Sequence, residues 1–327
     1  MFNKFIVFSD IHFYKNISKS YIKSNGISSW FDTQVQIVND IFDFAKENGI
    51  NTIIHNGDLL EEKSRIPQDL YNAVWELFRN YSKDFRIIFN SGNHDLLTLS
   101  RQSSLKPFSD IVEVVVQPKD FKFEDTFIRI IPFGMVGDNL DATSLNYKHK
   151  ILFLHEDIDS LIYGYNDFKS KSRLKMEYLS SWDIVFNGHI HKPQDIGNII
   201  NIGSPMLQDW GEAEEVKRFI IFDKGKITHI KTKCPKFIEV QSISDIHSIK
   251  EDNYNYYRIN VNSSELSNPI FKKYNVTYKL SKNKEKVARM ESTLSEEDKL
   301  KWYIKEKGGH LDLDKLLQIG INLTEEV

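Results

Sequence analysis

Five stretches of the chain end a short apolar run on side chains that can hold a cation. FIVFSDIH sets Asp10 and His12 past such a run, and TIIHNGD sets Asp58. IIFNSGNHD sets Asn93, His94 and Asp95, ILFLHED sets His155, and IVFNGHIH sets His189 and His191. In an open α/β sheet the carboxyl ends of the strands share one edge, where such folds bind ligands. Gathered there, His12, His155, His189 and His191 would offer four imidazole nitrogens, Asp10 and Asp58 two carboxylates, and Asn93 an amide oxygen. That mixture suits manganese, iron or zinc. It is too rich in nitrogen for calcium and lacks the thiolates of a structural zinc site. Seven donors exceed the needs of one ion, whereas two ions sharing a carboxylate use them economically. A pair about 3.5–4 Å apart is a general clamp for in-line displacement at phosphorus. Gly57, Gly92 and Gly188 are expected to let the backbone turn sharply where a larger residue would obstruct the ions.

No single piece carries this. Asp-x-His recurs by chance, a lone His155 reads as a core histidine, and Gly-His-x-His is open either way. The ordered set, each member at a strand end, is what points to chemistry.

The elements that must position the set follow from periodicity. Strands are predicted at Phe5–Ser9, Thr52–His55, Arg86–Phe89, Ile151–Leu154, Ile184–Phe186 and Ile199–Ile202. Helices are predicted over Thr33–Asn48, from Pro67 through Leu70, Val74, Leu77 and Phe78, and around Lys171–Leu179. Between Val112 and Phe133 strands follow without a helix, which suggests antiparallel pairing in a second sheet. Phe219–Phe222 leads through Asp223-Lys224-Gly225-Lys226 into Ile227–Lys231 as a hairpin. The fold class is therefore α/β, two sheets flanked by helices. After Pro235 the pattern changes to a few strands and one short helix, then a polar stretch. Two short amphipathic helices follow, one from Ser295 and one near Leu313–Ile319, too small to bury their own apolar stripes. The reading is three units: 1–235, a small α+β cap at 236–285, and a helical tail at 286–327.

The chain has 327 residues, 40% apolar, which is enough for one large core and a smaller unit. A net charge of −3 excludes a global basic field, so any nucleic-acid surface must be local. One cysteine, Cys234, excludes an internal disulfide framework and fits a reducing compartment. No apolar run reaches a membrane span and the N-terminal one is too short for a signal peptide, so a cytoplasmic protein is expected (the host's cytoplasm if viral).

The order Asp10-x-His12, Gly57-Asp58, Gly92-Asn93-His94-Asp95, His155, Gly188-His189-x-His191 resembles the calcineurin-like metallophosphoesterases over roughly residues 1–230. The resemblance implies an αββα sandwich of two sheets. It also implies two divalent ions, with Mn2+ expected first and Mg2+, Fe2+ or Zn2+ as alternatives. By position Asp10, His12, Asp58 and His191 would hold one ion, and Asp58, Asn93, His155 and His189 the other, with Asp58 bridging. His94 matches the catalytic histidine beside the scissile phosphate, and Asp95 a supporting residue. The implied reaction is phosphoester hydrolysis by a hydroxide held between the ions.

Ile202-Gly203-Ser204-Pro205, then Trp210-Gly211-Glu212, resembles the segment after the metal site in SbcD-like DNA-repair nucleases, including phage-type members. That branch implies DNA as substrate, a homodimer, and a coiled-coil ATPase of the SbcC/Rad type docked on the C-terminal helices. The other reading is a stand-alone phosphatase or phosphodiesterase for small nucleotides. Glu61 stands where archaeal and eukaryotic members carry a second histidine. Candidate DNA contacts are the basic cluster Lys169, Lys171, Arg173 and Lys175. Lys15, Lys19 and Lys23 are further candidates, with Tyr21 and Trp30 as stacking residues.

Overall fold

The computed structural model describes residues 4–97, 102–137, 140–164, 168–248, 254–272 and 275–280, together with 298, 299, 301 and 315. The strands in chain order are β1 (Lys4–Phe8), β2 (Thr52–Asn56), β3 (Arg86–Asn90), β4 (Glu113–Val115), β5 (Lys119–Lys122), β6 (Thr126–Ile130), β7 (His149–His155) and β8 (Ile184–Gly188). They continue with β9 (Gln194–Ile196), β10 (Ile199–Asn201), β11 (Arg218–Asp223), β12 (Lys226–Lys231), β13 (Phe237–Val240), β14 (Tyr256–Val261) and β15 (Val276–Leu280). Two helices, α1 (Ser29–Glu47) and α2 (Gln68–Tyr81), follow β1 and β2.

One sheet runs β12-β11-β1-β2-β3-β4 and a second β5-β6-β7-β8-β10-β9. In β1, Phe5 and Val7 pack between the sheets against Phe153 and Phe186, while Ile6 and Phe8 face α1 and α2. The inner strands are thus apolar on both faces, as helix-covered sheets require. The outer face of the second sheet is covered by the segments bearing Leu140, Ile158, Leu161, Leu179 and Trp182. This is the expected two-sheet sandwich.

β1, β2 and β3 are parallel, as are β7 and β8, so their carboxyl ends open on one edge of each sheet. Buried asparagines join the two edges where the ladders stop. The Asn56 amide donates to the Leu154 carbonyl at 2.6 Å, and the Asn90 amide to Asn56 Oδ1 at 3.0 Å. Asn187 and Asn201 tie the second sheet to its loops in the same way, Asn201 donating to the Ile190 and Lys192 carbonyls at 2.7 and 2.9 Å. Backbone carbonyls at a buried strand end need such partners.

Four local expectations are corrected. α1 begins at Ser29, because Ser28 caps it and Trp30 and Phe31 are drawn into the core. The helix expected over Lys171–Leu179 forms only as a 3-10 turn at Met176–Leu179. The Ser170 and Ser172 hydroxyls accept from the backbone N–H of Ser172 and Leu174, a local pairing that competes with a helix. β4 joins the first sheet parallel to β3, so of the strands between Val112 and Phe133 only β5 and β6 pair antiparallel in the second sheet. Trp30 is 1% exposed and packs on Tyr256 and Phe237, which removes it as a base-stacking residue. The hairpin turn after β11 is as expected, with Lys224 and Gly225 both at positive φ.

The chain divides into two units, Met1–Lys279 and Leu280–Val327. The first includes β13-β14-β15, docked through the Trp30, Trp210, Phe237 and Tyr256 rings. Of the second, Asp298, Lys299, Lys301 and Lys315 are described and are helical, and the rest of both expected tail helices lies outside the described residues. Among the described residues no helix is long and apolar enough to cross a membrane.

Candidate metal centre

Three clusters of donor atoms form at the shared edge among the described residues, one of them His12, Glu61 and His94 at the rim. Asp10, His12 and His191 bring ligand atoms within 4.8 Å of one another, and so do Asp58, His155 and His189. Asp58 lies between them: its Oδ2 is 3.5 Å from His12 Nε2 and 3.2 Å from His155 Nε2. His12 Nε2 and His191 Nε2 face each other at 3.1 Å. Asn93 Oδ1 lies 2.8 Å from His189 Nδ1. All seven side chains expected to hold metal are therefore gathered at one edge.

The backbone is bent to achieve this. Among the described residues seven non-glycines have positive φ, and Asp10 (56°), His12 (49°), Asp58 (57°) and His189 (82°) are four of them. Such conformations cost about 1–3 kcal/mol each and concentrate where function requires them. Asp95 pins part of the bend by accepting from the backbone N–H of Asp58, Leu59 and Gly92 at 2.8, 3.1 and 2.9 Å. The expectation about glycines needs revision. Gly57 turns at φ +101°, but Gly92 and Gly188 are absent from the left-handed region. Their role is space: a Cβ on Gly92 would meet Asp58 and His155, and one on Gly188 would meet Ser9 and His155.

The charges are those of a cation site. Burial works against a charged His155, yet Asp58 and Asp10 hold its imidazole up to about 10. Burial likewise opposes His12, but Glu61, Asp58 and Asp10 raise it to about 9. Burial also opposes ionised Asp58, while His155 and His12 bring its carboxyl well below the usual range. Packed buried carboxylates thus demand positive charge between them, and a divalent cation meets that demand more fully than a proton. Among the described residues the buried His155 Nε2 has Asp58 Oδ2 at 3.2 Å but no aligned hydrogen-bond partner, while its Nδ1 is engaged by the Asn56 carbonyl at 2.7 Å. A ring nitrogen aimed into a ring of carboxylates, its other nitrogen fixed by a carbonyl, is what a metal-ligating histidine requires. The donor set fits two cations.

His94 stands at the rim, its side chain 28% exposed and its ring 4.7 Å from that of His12. Its Nδ1 lies 2.6 Å from the Glu61 carbonyl, which leaves Nε2 for a ligand. Beside His189 a cavity of about 1060 Å³ is lined by Phe133, Arg173, Tyr178 and the acidic Asp141, Glu156, Asp157 and Glu177. Of the basic cluster, Arg173 reaches this cavity, Lys175 pairs with Asp159 at 3.0 Å, and Lys169 and Lys171 are exposed on the loop. Lys15 pairs with Asp69 at 2.5 Å, Lys23 with Asp32, and Lys19 donates to the Gln208 carbonyl at 2.7 Å, so internal partners occupy all three.

Several residues that shape the site carry weak signals in sequence. Gln34 of α1, fully buried, donates to the Ile11 and His12 carbonyls at 2.7 and 2.6 Å and fixes the first ligand loop. A glutamine on the buried face of a helix was the available signal. Glu61 Oε2 lies 2.7 Å from His12 Nδ1, and Glu212 Oε1 lies 3.1 Å from His191 Nδ1. His55 is fully buried against the Phe8 and Phe89 rings.

A family model described as Calcineurin-like phosphoesterase matches residues 3–221. The chain is 23% identical over 203 residues to exonuclease subunit 1 of Enterobacteria phage T4, covering 58% of each. It is 26% identical over 230 residues to putative phosphoesterase 078R of Invertebrate iridescent virus 3, covering 64% of each. To the DNA double-strand break repair protein Mre11 of Methanococcus maripaludis it is 23% identical over 232 residues, 61% of this chain and 60% of that one. These matches span about three-fifths of the length of the relatives.

Proposed function

The chain belongs to the calcineurin-like phosphoesterase family, a family of hydrolases with nuclease relatives, and from that premise we propose that it is a manganese-dependent DNA nuclease. One cation would be held by Asp10, His12, Asp58 and His191, the other by Asp58, Asn93, His155 and His189. The observation that carries this reading is the meeting of Asp58 Oδ2 with both His12 and His155, which offers one carboxylate to two cation positions. Bound there, two divalent cations would supply Lewis acidity toward a phosphoryl oxygen and acidify water.

The chain's own groups do the rest. Asp58 Oδ1 accepts from the His94 backbone N–H at 2.8 Å, so the bridging carboxylate also sets where His94 begins. As an imidazolium His94 would donate its Nδ1–H to the Glu61 carbonyl and keep Nε2–H to neutralise phosphoryl charge and protonate the leaving oxygen. Asp95 holds the turn that carries both. DNA is favoured as substrate by two relatives named as an exonuclease subunit and a break-repair protein. Arg173 in the cavity beside His189, with Lys169 and Lys171 exposed on the same loop, would supply phosphate contacts, and Lys175 would do so only on leaving Asp159. The division at 236–285 and 286–327 into cap and tail, a homodimer, and an SbcC/Rad-type ATPase docked on the tail belong to the same reading.

The test is an assay of the full chain with Mn2+ on single- and double-stranded DNA and on small nucleotide phosphoesters. DNA cleavage is expected. Turnover of the small esters with DNA left intact would favour the stand-alone phosphodiesterase instead. Deleting residues 290–327 should abolish capture of the coiled-coil ATPase without abolishing hydrolysis of a simple phosphodiester.

A further inference from the structure

The buried polar groups behind His191 form a network that the metal assignment does not use. Glu212 is 7% exposed and Lys217 2%. Glu212 Oε1 lies 3.1 Å from His191 Nδ1, while its Oε2 accepts from the Gln208 backbone N–H at 2.9 Å and pairs with Lys217 Nζ at 2.8 Å. Lys217 Nζ also reaches Glu215 Oε2 at 2.7 Å and the His191 carbonyl at 2.9 Å. The ammonium is thus held at three points, two of them on Glu212 and on His191 itself.

An isolated buried charge is costly, and a buried pair is tolerated only when its remaining hydrogen-bonding capacity is filled. Here two carboxylates and one ammonium leave one negative charge, and the side chain it meets outside the network is the His191 imidazole. The placement is enforced from outside. Glu212 ends a 3-10 turn, Trp210–Glu212, capped by Asp209, which accepts from the Gly211 N–H at 3.0 Å. Trp210 is clamped between the Phe237 ring at 4.7 Å and the Arg258 guanidinium at 4.2 Å. The β13-β14-β15 sheet therefore braces the carboxylate that faces the metal centre.

The other histidine of that cation position, His12, is also backed by a carboxylate, Glu61 Oε2 at 2.7 Å from Nδ1. His155, in the second position, is backed by a neutral carbonyl, that of Asn56. Carboxylate-backed imidazoles are more basic ligands, and loss of such partners costs 10–100-fold in metal affinity.

We propose that Glu212, fixed by Lys217, is a positioning residue that orients His191 and makes the Asp10–His12–Asp58–His191 position the tighter of two unequal cation sites. The inference rests on the ligand assignment above.

The experiment is calorimetric titration of the full chain, first stripped with chelator, with Mn2+, comparing wild type, Glu212→Ala and Glu212→Gln. Wild type should take up two cations in separable steps. Glu212→Ala should weaken the tighter step 10–100-fold and leave the weaker step unchanged, and Glu212→Gln, which keeps the shape and one acceptor, should fall between. Circular dichroism checks folding, and if Glu212→Ala fails to fold, Glu212→Gln decides alone. Two cations with both steps unaltered in a folded variant, or both weakened equally, would overturn the proposal. Wild type that takes up no pair of cations would instead overturn the metal-centre reading, and this inference with it.

Discussion

Asp58 Oδ2 lies 3.2 Å from His155 Nε2, both side chains are buried, and the residues stand 97 apart in the chain. The contact ties the edge of the first sheet to that of the second through charge. Stripped of cations, these groups would need bound protons to offset the carboxylates. A cation should do so better.

Adding Mn2+ to chelator-stripped protein should therefore raise its melting temperature by several degrees. A cation at about 100 times its Kd stabilises by about 2.7 kcal/mol. Asp58→Asn should remove most of that gain, since it weakens both positions at once. Identical melting curves with Mn2+ and with chelator would contradict the site.

His94 should separate chemistry from metal uptake. His94→Ala is expected to lower phosphodiester cleavage about 10²–10⁴-fold, the usual contribution of a positioned acid or base. Its Mn2+ content, measured by elemental analysis, should match wild type. Loss of metal in parallel with activity would make His94 a ligand instead.

Gly92 tests the role of space. A Cβ there would lie 2.5 Å from the Asp58 backbone nitrogen and 2.8 Å from His155 Nε2, and backbone cannot step aside cheaply. Gly92→Ala should cost about 1–3 kcal/mol in overpacking and abolish Mn2+ binding. Gly197, at φ +60° with nothing within 4 Å of an added Cβ, is the control. Gly197→Ala should cost about 1 kcal/mol and leave metal uptake intact, so equal effects at the two positions would exclude the steric account.

His55 sets an acid limit on stability. Burial drives its pKa from 6.5 down to about 3, and among the described residues neither ring nitrogen finds a hydrogen-bond partner. The native imidazole stays neutral while the unfolded one takes a proton below 6.5. Its contribution to stability is therefore intact above that pH and is lost progressively as pH falls from 6.5 toward 3. His55→Leu lacks this loss. The melting-temperature advantage of the variant should widen between pH 7 and pH 4.5, and a constant difference across that range would rule the mechanism out.

Much of the site was legible because its signals are local. An apolar run ending on Asp, Asn or His is visible in eight residues, and the strands, α2 and the β11–β12 turn follow the same short-range rules. Where local rules failed, a longer-range competitor intervened. Trp30 looked available for stacking until Tyr256, 226 positions away, covered it. The 171–175 segment had a helical pattern until its own serines took the backbone N–H groups.

The sequence by itself determined which side chains could bind a cation and that each would stand at a strand end, because residue type and period are properties of neighbours. Only the tertiary structure decided what stands behind them: the Asn56 carbonyl on His155, Glu61 on His12, Glu212 and Lys217 on His191. Those partners meet across 99, 49, 21 and 26 residues of chain, respectively. The charges of Glu212 and Lys217 matter most because burial strips away the water that would screen them, and burial of that kind exists only once the two sheets have closed.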